Sequence, residues 1–396
     1  MTKLLYMDDC YLRECDAKVE NVLDDNKIIL DKTVFYPQGG GVPCDTGKII
    51  KENEEFNVIQ VKKETGKVVH YIDKDGIQKG DIVHCVIDWN RRYAMMRHHT
   101  ATHIINYSAR KVLGSHIWQA GSYLDENEAR LDVTHYKRIS EEEAMEIEKI
   151  ANEMVRKALP VEKKFMERNE AEKKYGFRLY QGGAPKGGVI RVVNIADLEA
   201  EACGGTHVNN TAEIGFIKII GVERVQDGVE RIRFCAGEKA LEYIQKQEKL
   251  LKEASSLLAT EPSRIAEAIK KLIEERKRLK KEIERLQERL GKEKAEEYKG
   301  VKIIVEDELT TQAIRELTKE KTVVISASKK GKNALLTIAC SADLPIDCAK
   351  IAKEIGNKFG RGGGGRKTIG QAGIEINKID EAKKEAKEMV KKGLES

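Results

Sequence analysis

The sequence comprises 396 residues, of which 35% are charged and 40% are hydrophobic, with a formal net charge of +5. This balance excludes an extensively disordered chain. No apolar run reaches the ~20 residues of a membrane helix, and acidic residues occupy the N-terminal positions where a signal peptide would be apolar. We therefore expect a cytoplasmic protein of two to four domains, whose eight cysteines are reduced.

The first predicted elements are strands. Residues 1–90 contain short runs rich in β-branched residues, among them 27–30, 56–61 and 82–87, and Gly or Asp turns separate these runs. Closely spaced short strands of this kind are typical of a small barrel or sandwich. We predict an N-terminal small β-barrel domain over residues 1–90.

Helical and strand-like patterns alternate over residues 91–237. A helix is predicted to begin at Arg91 and to end before Gly114, and a second helix begins at the S-x-x-E capping box of Ser140 and Glu143. Strand-like runs surround both helices. The segment 91–237 is therefore predicted to be an α+β domain.

Residues 238–299 form a long helical stretch that is interrupted near Pro262. Its second arm repeats apolar residues at heptad spacing, with one polar exception, and this pattern predicts a helical hairpin or a coiled coil. The arm serves either as an intramolecular spacer or as a dimer seam. The seam positions are Ile269, Leu272, Arg276, Leu279, Ile283, Leu286 and Leu290.

The last part of the chain, residues 300–396, is predicted to be a small α/β domain. Its elements follow the order strand, helix, strand, strand, helix, Gly-rich loop, strand, helix. From residue 350 onward the chain has 12 basic and 7 acidic residues, whereas the remainder is neutral. A basic end is compatible with a phosphate-rich partner, and equally with a solvated surface helix.

Two close pairs of residues carry the strongest chemical signal. His99 and His103 are four residues apart on a predicted helix, so both imidazoles leave the same face. Cys203 and His207 flank a Gly-Gly-Thr sequence, whose glycines permit a tight turn. Each pair alone is also compatible with structural histidines and a buried cysteine. Together they offer three imidazoles and a thiolate, a set that suits Zn²⁺.

These motifs, in this order, resemble the editing domain of alanyl-tRNA synthetase and its free-standing relatives, the AlaX proteins. The resemblance is carried by the sequence around His99, by the segment 114–122 and by the Cys203 motif. Upstream, the glycine-rich segment 35–47 resembles the barrel domain of the long AlaX form. Downstream, the segment 360–373 resembles the DHHA1-type module that ends alanyl-tRNA synthetases and also occurs in certain phosphoesterases.

The resemblance implies a zinc-dependent hydrolase that removes a wrong amino acid from alanine tRNA in trans. One Zn²⁺ per chain would be held by His99, His103, Cys203 and His207, and the substrate would be Ser-tRNA(Ala), Gly-tRNA(Ala) or both. The synthetase's activation domain would precede the barrel, so a chain that starts at the barrel is expected not to charge tRNA. Four fixed ligands would leave no position for water, so we expect one ligand to be loose.

Discrimination between serine and alanine rests on one hydroxyl group, which a pocket can recognise by hydrogen bonding. The candidates for that contact are Thr102, Gln119 and Gln38, and Gln119 stands where the family's editing domain has a pocket glutamine. Glu201, two residues before the cysteine, could orient a ligand histidine. Each of these residues could equally be an ordinary polar side chain.

The resemblance also implies contacts with mischarged tRNA(Ala). Backbone N–H groups of the barrel's Gly-rich loop could approach the acceptor end, and the basic C-terminal Gly-rich loop suits the phosphate backbone. That second segment could instead be glycine-rich for close packing. The helical hairpin and the C-terminal domain could also join two copies as a homodimer. The predicted tRNA-binding residues are Gly39, Gly40, Gly41, Arg361, Gly363, Gly364, Arg366 and Lys367.

Three other functions are open at this point. A tRNA-binding protein with a structural zinc would share the metal site but lack deacylase activity. Editing of another tRNA is conceivable because threonyl-tRNA synthetases use a related motif pair, although the barrel, the Gln119 segment and the C-terminal module favour alanine. A metallo-phosphoesterase would need a carboxylate cluster that the sequence does not contain.

Overall fold

The chain divides into two units, Met1–Leu250 and Leu251–Ser396. The division falls inside a long helix, so the predicted division into four domains stays a prediction. Within the described ranges, no helix combines the length and the apolar composition that crossing a membrane requires. The computed structural model describes residues 2–24, 26–331 and 333–395.

The first part of the first unit is a small barrel, as predicted. Its elements are β1 (Lys3–Leu4), α1 (Leu5–Asp8), β2 (Glu14–Asp24), β3 (Lys27–Leu30), β4 (Lys32–Thr33), β5 (Gly47–Lys51), β6 (Glu54–Glu64), β7 (Lys67–Ile72) and β8 (Ile82–Ile87). Six strands close in the order β2-β3-β7-β6-β5-β8, while β1 pairs in parallel with β4. Alternate residues of the strands, such as Phe56 and Val58, are buried in the barrel core.

The rest of the first unit mixes helices with two antiparallel sheets. Its elements are α2 (Trp89–Leu113), β9 (Gln119–Leu124), β10 (Ala129–Thr134), α3 (Glu141–Arg156), β11 (Val161–Glu167), α4 (Arg168–Tyr175), β12 (Val189–Ile195), β13 (Glu199–Ala202), β14 (Ile217–Gln226) and β15 (Val229–Ala236). The sheet orders are β14-β15-β10-β9 and β11-β12-β13. Short 3₁₀ turns occupy Phe177–Leu179 and Thr211–Ile214.

Helix α2 is the element on which His99 and His103, the predicted metal ligands, lie. The Asp88 side chain caps its N-terminus by accepting a backbone N–H, and Gly114, at a φ of 115°, ends it. The helix packs against α3, β9, β10, β13 and β15. His99 and His103 are therefore held on a buried surface and not on a solvent-facing one.

A buried ion pair joins the start of α2 to the barrel. Arg92 and Asp45 are both essentially inaccessible to solvent, and the guanidinium holds the carboxylate through Nε and through Nη2. The same guanidinium donates to the carbonyl oxygens of Cys10, at 3.1 Å, and Val34, at 2.7 Å. Removing one partner would leave an unpaired buried charge, a loss of about 3–5 kcal/mol.

The second unit contains one mixed sheet with helices. The elements from residue 238 onward are α5 (Glu238–Leu257), in which the division falls, α6 (Ile265–Glu293), β16 (Glu296–Tyr298), β17 (Val301–Val305), α7 (Thr311–Leu317), β18 (Thr322–Lys330), β19 (Asn333–Cys340), α8 (Cys348–Phe359), β20 (Gly360–Arg366), β21 (Ile369–Glu375) and α9 (Ile379–Gly393). The strand order is β16-β17-β18-β19-β21-β20. Single 3₁₀ turns precede α6 and α9.

The heptad seam of α6 is exposed. Its six apolar positions, from Ile269 to Leu290, are 44–53% accessible, and Gly291 is the one buried residue of the helix. The helix is present as predicted, but the seam has the exposure of a surface that a partner would cover.

Residues 360–366 form a strand and not the predicted Gly-rich loop. β20 pairs antiparallel with β21 at the edge of the sheet and packs against α8. A Cβ atom at Gly363 would lie 2.3 Å from the carbonyl oxygen of Ala352 on α8, so only glycine permits this approach. Close packing explains glycine at this position.

Candidate metal centre

Four metal-binding side chains meet at one point in the first unit. His99 and His103 lie one turn apart on α2, and Cys203 and His207 belong to the loop that follows β13. The Cys203 Sγ atom is 3.5 Å from His99 Nε2 and 3.4 Å from His207 Nε2. The ligand atoms of all four residues lie within 4.8 Å of one another. The structure therefore brings together the two pairs found in the sequence.

Gly205 lets the loop come this close to the helix. A Cβ atom at this residue would lie 2.1 Å from a ring carbon of His99, a distance that no side chain can adopt. The Gly205 N–H is also directed at the Cys203 sulfur, at 3.5 Å. The second glycine of the Cys-Gly-Gly-Thr-His motif is thus required because the loop passes directly over the His99 ring.

Thr100 fixes the orientation of the His207 ring. Its hydroxyl donates to the carbonyl oxygen of Met96 at 2.9 Å, so its oxygen accepts from His207 Nδ1 at 3.1 Å. The proton on Nδ1 leaves the Nε2 lone pair directed at Cys203. This is the tautomer that a metal ligand requires.

Burial favours the neutral imidazole at two of the cluster's histidines, His99 and His207. It lowers the pKa of His99 to about 4. Burial and the neighbouring rings of His99 and His103 also lower the pKa of His207 well below its ordinary value. Neutral imidazole is the form that binds a metal ion.

The donor set fits Zn²⁺. Zn–S bonds of about 2.3 Å and Zn–N bonds of about 2.0–2.1 Å in a tetrahedron separate sulfur from nitrogen by about 3.5 Å. The measured separations of 3.5 Å and 3.4 Å agree with this value.

Arg191 binds the loop that contains Cys203 and His207. Sequence analysis did not identify this residue. Its buried guanidinium donates to the carbonyl oxygens of Cys203, at 2.9 Å, and Gly205, at 2.8 Å. It also donates to the Met7 carbonyl oxygen at 3.2 Å. The available signal was a lone charged residue in β12, whose other residues are apolar except for Asn194.

The cluster opens on a cavity of about 650 Å³. Its lining includes His99, His103 and Cys203 together with all four residues predicted to contact substrate, which are Thr102, Gln119, Gln38 and Glu201. The structure therefore collects these residues around one space, although their roles stay predictions.

The predicted substrate residues differ in their surroundings. The Thr102 hydroxyl donates to the His98 carbonyl oxygen at 2.9 Å, and Gln119 Nε2 donates to Ser122 Oγ at 3.2 Å. The exposed Gln38 uses its backbone N–H in a bond to the barrel. Thr102 and Gln119 are thus the better fixed of the three.

The Glu201 carboxylate contacts two side chains of α2, those of His103 and Asn106. Its Oε2 atom is 3.4 Å from His103 Nε2, and its Oε1 atom accepts from Asn106 Nδ2 at 3.1 Å. The carboxylate is buried. This is the position from which an acid can orient a ligand histidine.

The predicted tRNA-binding glycines of the barrel separate into two groups. Gly39 and Gly40 line the cavity. Gly41 instead packs against β9, because a Cβ atom there would lie 2.3 Å from the Ser122 carbonyl oxygen. The C-terminal candidates belong to the second unit, on and beside β20, and their basic members, Arg361, Arg366 and Lys367, are exposed.

The cavity also has lining residues that sequence analysis missed. Among them are Lys63 on β6 and the buried Gln181. The Gly-Gly pair after Gln181 marked a turn, but nothing in the sequence indicated that this turn faces the histidines. Lys63 gave no signal, because it lies beside a second lysine, Lys62, in the same strand.

Three family models match the chain. They are "tRNA synthetases class II (A)" over residues 10–91, "Threonyl and Alanyl tRNA synthetase second additional domain" over residues 190–233, and "DHHA1 domain" over residues 294–392. The first match falls largely on the barrel, the second on the part of the first unit that contains Cys203 and His207, and the third on the second unit.

Similar curated proteins are alanine–tRNA ligases of archaea. The chain is 43% identical to that of Pyrococcus furiosus, with 99% of this chain and 44% of the relative aligned. Identity to that of Sulfurisphaera tokodaii is 40%, with the same shares of 99% and 44%. The chain therefore spans less than half the length of these relatives.

Solved structures add little to this similarity. The C-Ala domain of Aquifex aeolicus alanyl-tRNA synthetase is 25% identical over 26% of this chain and 99% of that chain, with a TM-score of 0.21. A TM-score this low supports no structural conclusion. The similarity rests on the family models and on the curated relatives.

Proposed function

The chain belongs to the family of alanyl-tRNA synthetases and their AlaX-like relatives, and we propose that it hydrolyses the ester bond of mischarged tRNA(Ala) in trans, in the cytoplasm. The observation that supports this function is the cavity that the His/Cys cluster shares with Thr102 and Gln119. Its volume of about 650 Å³ is sufficient for an aminoacyl group on a terminal ribose.

In this proposal one Zn²⁺ ion per chain is held by His99, His103, Cys203 and His207. When bound, such an ion supplies Lewis-acid polarisation or orients the substrate. Four permanent protein ligands would close the site, so one of them is loose when substrate is present. Glu201, itself anchored by Asn106, keeps the His103 ring oriented.

Selectivity for serine over alanine is assigned to Gln119, assisted by Thr102. Because Gln119 Nε2 already donates to Ser122, its Oε1 atom accepts the hydroxyl of a seryl ester. The Thr102 hydroxyl donates its proton to the His98 carbonyl oxygen, so towards the substrate it can act only as a hydrogen-bond acceptor. An alanyl ester leaves these acceptors unpaired, which disfavours its hydrolysis.

Replacement of Gln119 tests this assignment. Gln119→Ala is expected to reduce the ratio of Ser-tRNA(Ala) to Ala-tRNA(Ala) hydrolysis at least tenfold. Gln38→Ala, at the exposed side of the cavity, is the matched control and is expected to keep most of the ratio. An unchanged ratio in Gln119→Ala would remove this residue from substrate recognition.

Contacts with the body of the tRNA are assigned to both units. Gly39 and Gly40 present backbone groups at the cavity, and the exposed Arg361, Arg366 and Lys367 offer charge to the phosphate backbone. The exposed seam of α6 would join two chains as a homodimer. Replacing Ile283 and Leu286 by glutamate should then yield a monomer in sedimentation equilibrium, whereas the exposed Lys277 and Lys281 replaced in the same way should not.

The rival function is a zinc-stabilised tRNA-binding protein without deacylase activity. The observation in its favour is the completeness of the cluster, because four protein ligands are typical of structural zinc. This rival keeps tRNA binding and metal content but predicts stable esters.

Deacylation assays distinguish the two functions. Ser-tRNA(Ala), Gly-tRNA(Ala) and Ala-tRNA(Ala) are incubated with the protein, with and without a chelator, and with the variant Cys203→Ala. Cys235→Ala is the control, because Cys235 lies in β15 and does not line the cavity. Metal content is measured in each preparation.

Zinc-dependent loss of the seryl or glycyl ester, with the alanyl ester spared, is the expected result. It should be abolished in Cys203→Ala and retained in Cys235→Ala. Esters that stay intact throughout, in a protein that contains zinc and binds tRNA, would contradict the deacylase and favour the rival.

A further inference from the structure

A tryptophan and an arginine form an exposed pair beside the cavity. Trp118 directly precedes Gln119, and 36% of its surface is accessible. The Arg178 guanidinium lies over the indole, 5.8 Å from the ring centroid. The Trp118 backbone is fixed by Thr134, whose hydroxyl oxygen accepts the Trp118 N–H and whose own N–H donates to the Trp118 carbonyl oxygen.

The buried Gln181 ties this pair to the cavity. Its Oε1 atom accepts from the Gln119 backbone N–H at 3.1 Å, and its Nε2 atom donates to the Arg178 carbonyl oxygen at 3.0 Å. Gln119 and Gln181 both line the cavity. Gln181 therefore holds the backbone of Arg178 near that of Gln119, and the Trp118–Arg178 pair lies just outside the cavity.

The segment that contains Arg178 has an excess of basic residues. Residues 168–188, which contain Arg178, include five basic and two acidic residues. Lys63 adds a cation to the cavity lining itself. An aromatic ring with neighbouring cations is complementary to bases on a phosphate backbone, and much less so to an acidic or apolar protein surface.

We propose that Trp118 and Arg178 form a stacking platform for the unpaired bases at the 3′ end of an RNA. This inference rests on the proposed function, in which the terminal ribose enters the cavity. The bases that precede the terminal nucleotide must then lie outside, next to Gln119, where Trp118 is. Stacking tolerates any base, so the platform holds the end of the RNA without reading its sequence.

Fluorescence measures this contact directly, because the chain has two tryptophans. Trp89 is half-buried between Arg13 and Tyr93 and can be replaced by phenylalanine, which leaves Trp118 as the one emitter. The probes are a tRNA(Ala) transcript with its complete 3′ end and the same transcript without its last three nucleotides. The complete transcript should quench Trp118, and the shortened one should not.

Affinity provides the second measurement. Trp118→Ala is expected to weaken binding of the complete transcript at least fivefold, whereas Trp118→Phe retains most of it. The control is Phe216→Ala, which removes an aromatic ring of similar exposure, 39%, outside the cavity lining. Equal quenching by both transcripts, or equal affinity of Trp118→Ala and Phe216→Ala, would overturn the platform.

The outcome is separate from that of the deacylase. Both transcripts carry no amino acid, so quenching needs no hydrolysis. Specific quenching in a protein that leaves seryl and glycyl esters intact would contradict the deacylase and keep the platform. Ester hydrolysis without specific quenching would keep the deacylase and overturn the platform.

Discussion

Each of the two units contains a glycine-rich segment, but glycine serves a different purpose in each. In the first unit Gly39 and Gly40 line a cavity beside metal-binding residues. In the second unit Gly363 lies against the Ala352 carbonyl oxygen, where any side chain would clash. The same residue type presents backbone to a cavity in one place and permits a close approach between a strand and a helix in the other. Glycine content alone therefore does not identify a ligand-binding loop.

The units also differ in their buried polar groups. All eight histidines and both tryptophans precede residue 251. The first unit has a buried ion pair, a cluster of three imidazoles with a cysteine, and a buried arginine that donates to carbonyl groups of the ligand loop. The second unit has an apolar core with closely packed glycines. Acid should therefore affect the first unit, and added side-chain volume should affect the second.

The largest expected effect is the response of the first unit to acid, through His70. Burial lowers the pKa of His70 to about 4. The unfolded chain takes up this proton near its ordinary pKa of about 6.5, so stability is complete above that pH and falls as the pH decreases towards 4, by about 3 kcal/mol. Denaturant unfolding followed by tryptophan fluorescence, which reports the first unit, measures the change.

The variant His70→Gln should reduce this loss in the metal-free protein. His84→Gln is the control, because Asp16 raises the pKa of that half-exposed histidine and its effect has the opposite sign. A parallel pH dependence of His70→Gln and the unaltered protein would contradict the assignment to His70.

The next effect concerns two glycines of β20. Gly363→Ala places Cβ 2.3 Å from the Ala352 carbonyl oxygen, and we expect the free energy of unfolding of the second unit to fall by about 2–3 kcal/mol. Gly364→Ala meets no atom within 4 Å and should change it by less than about 0.5 kcal/mol. Thermal unfolding followed by circular dichroism compares the two; equal losses would disprove the packing explanation.

A smaller effect is expected at the barrel glycines. Gly41→Ala meets the Ser122 carbonyl oxygen at a φ of +80°, but a loop can shift, so we expect a loss of about 1–2 kcal/mol. Gly39→Ala has room for a Cβ and should leave stability nearly unchanged while raising the KM for a mischarged tRNA. An unchanged KM in Gly39→Ala would place the cavity glycines outside substrate binding.

The smallest expected effect is on the salt dependence of tRNA binding, which tests whether the basic residues on and beside β20 contact phosphates. Replacing Arg361, Arg366 and Lys367 by glutamine should weaken tRNA binding and reduce its logarithmic salt dependence by up to about 2–3. The matched control replaces the exposed Lys277, Arg278 and Lys281 of α6. Identical salt slopes for the two triple variants would mean that β20 makes no phosphate contact.

The sequence was sufficient for those parts of the structure that depend on local spacing. The i, i+4 histidines fixed one face of α2, and the capping box of Ser140 and Glu143 is present at the start of α3. The strand and helix order of the second unit was also correct, except that β20 was predicted as a loop. Glycine is rare in strands, and the packing partner that requires it, Ala352, became known only with the fold.

Long-range contacts explain most of what sequence analysis missed. Arg191 and Gln181 act through carbonyl groups of segments that the fold brings beside them. Their residue types alone do not identify such partners. The heptad spacing predicted the seam of α6, and the residues that cover such a seam in an assembly belong to another chain or segment, so local spacing does not identify them.

The ion pair of Arg92 and Asp45 has a consequence for where this chain can be cut. A boundary at residue 90 separates the two partners, so an excised segment beginning there would retain a buried guanidinium without its carboxylate. The barrel and the helix that carries the histidines should therefore be transplanted or truncated as one piece. A shortened form meant to keep the metal-binding cluster should retain the barrel.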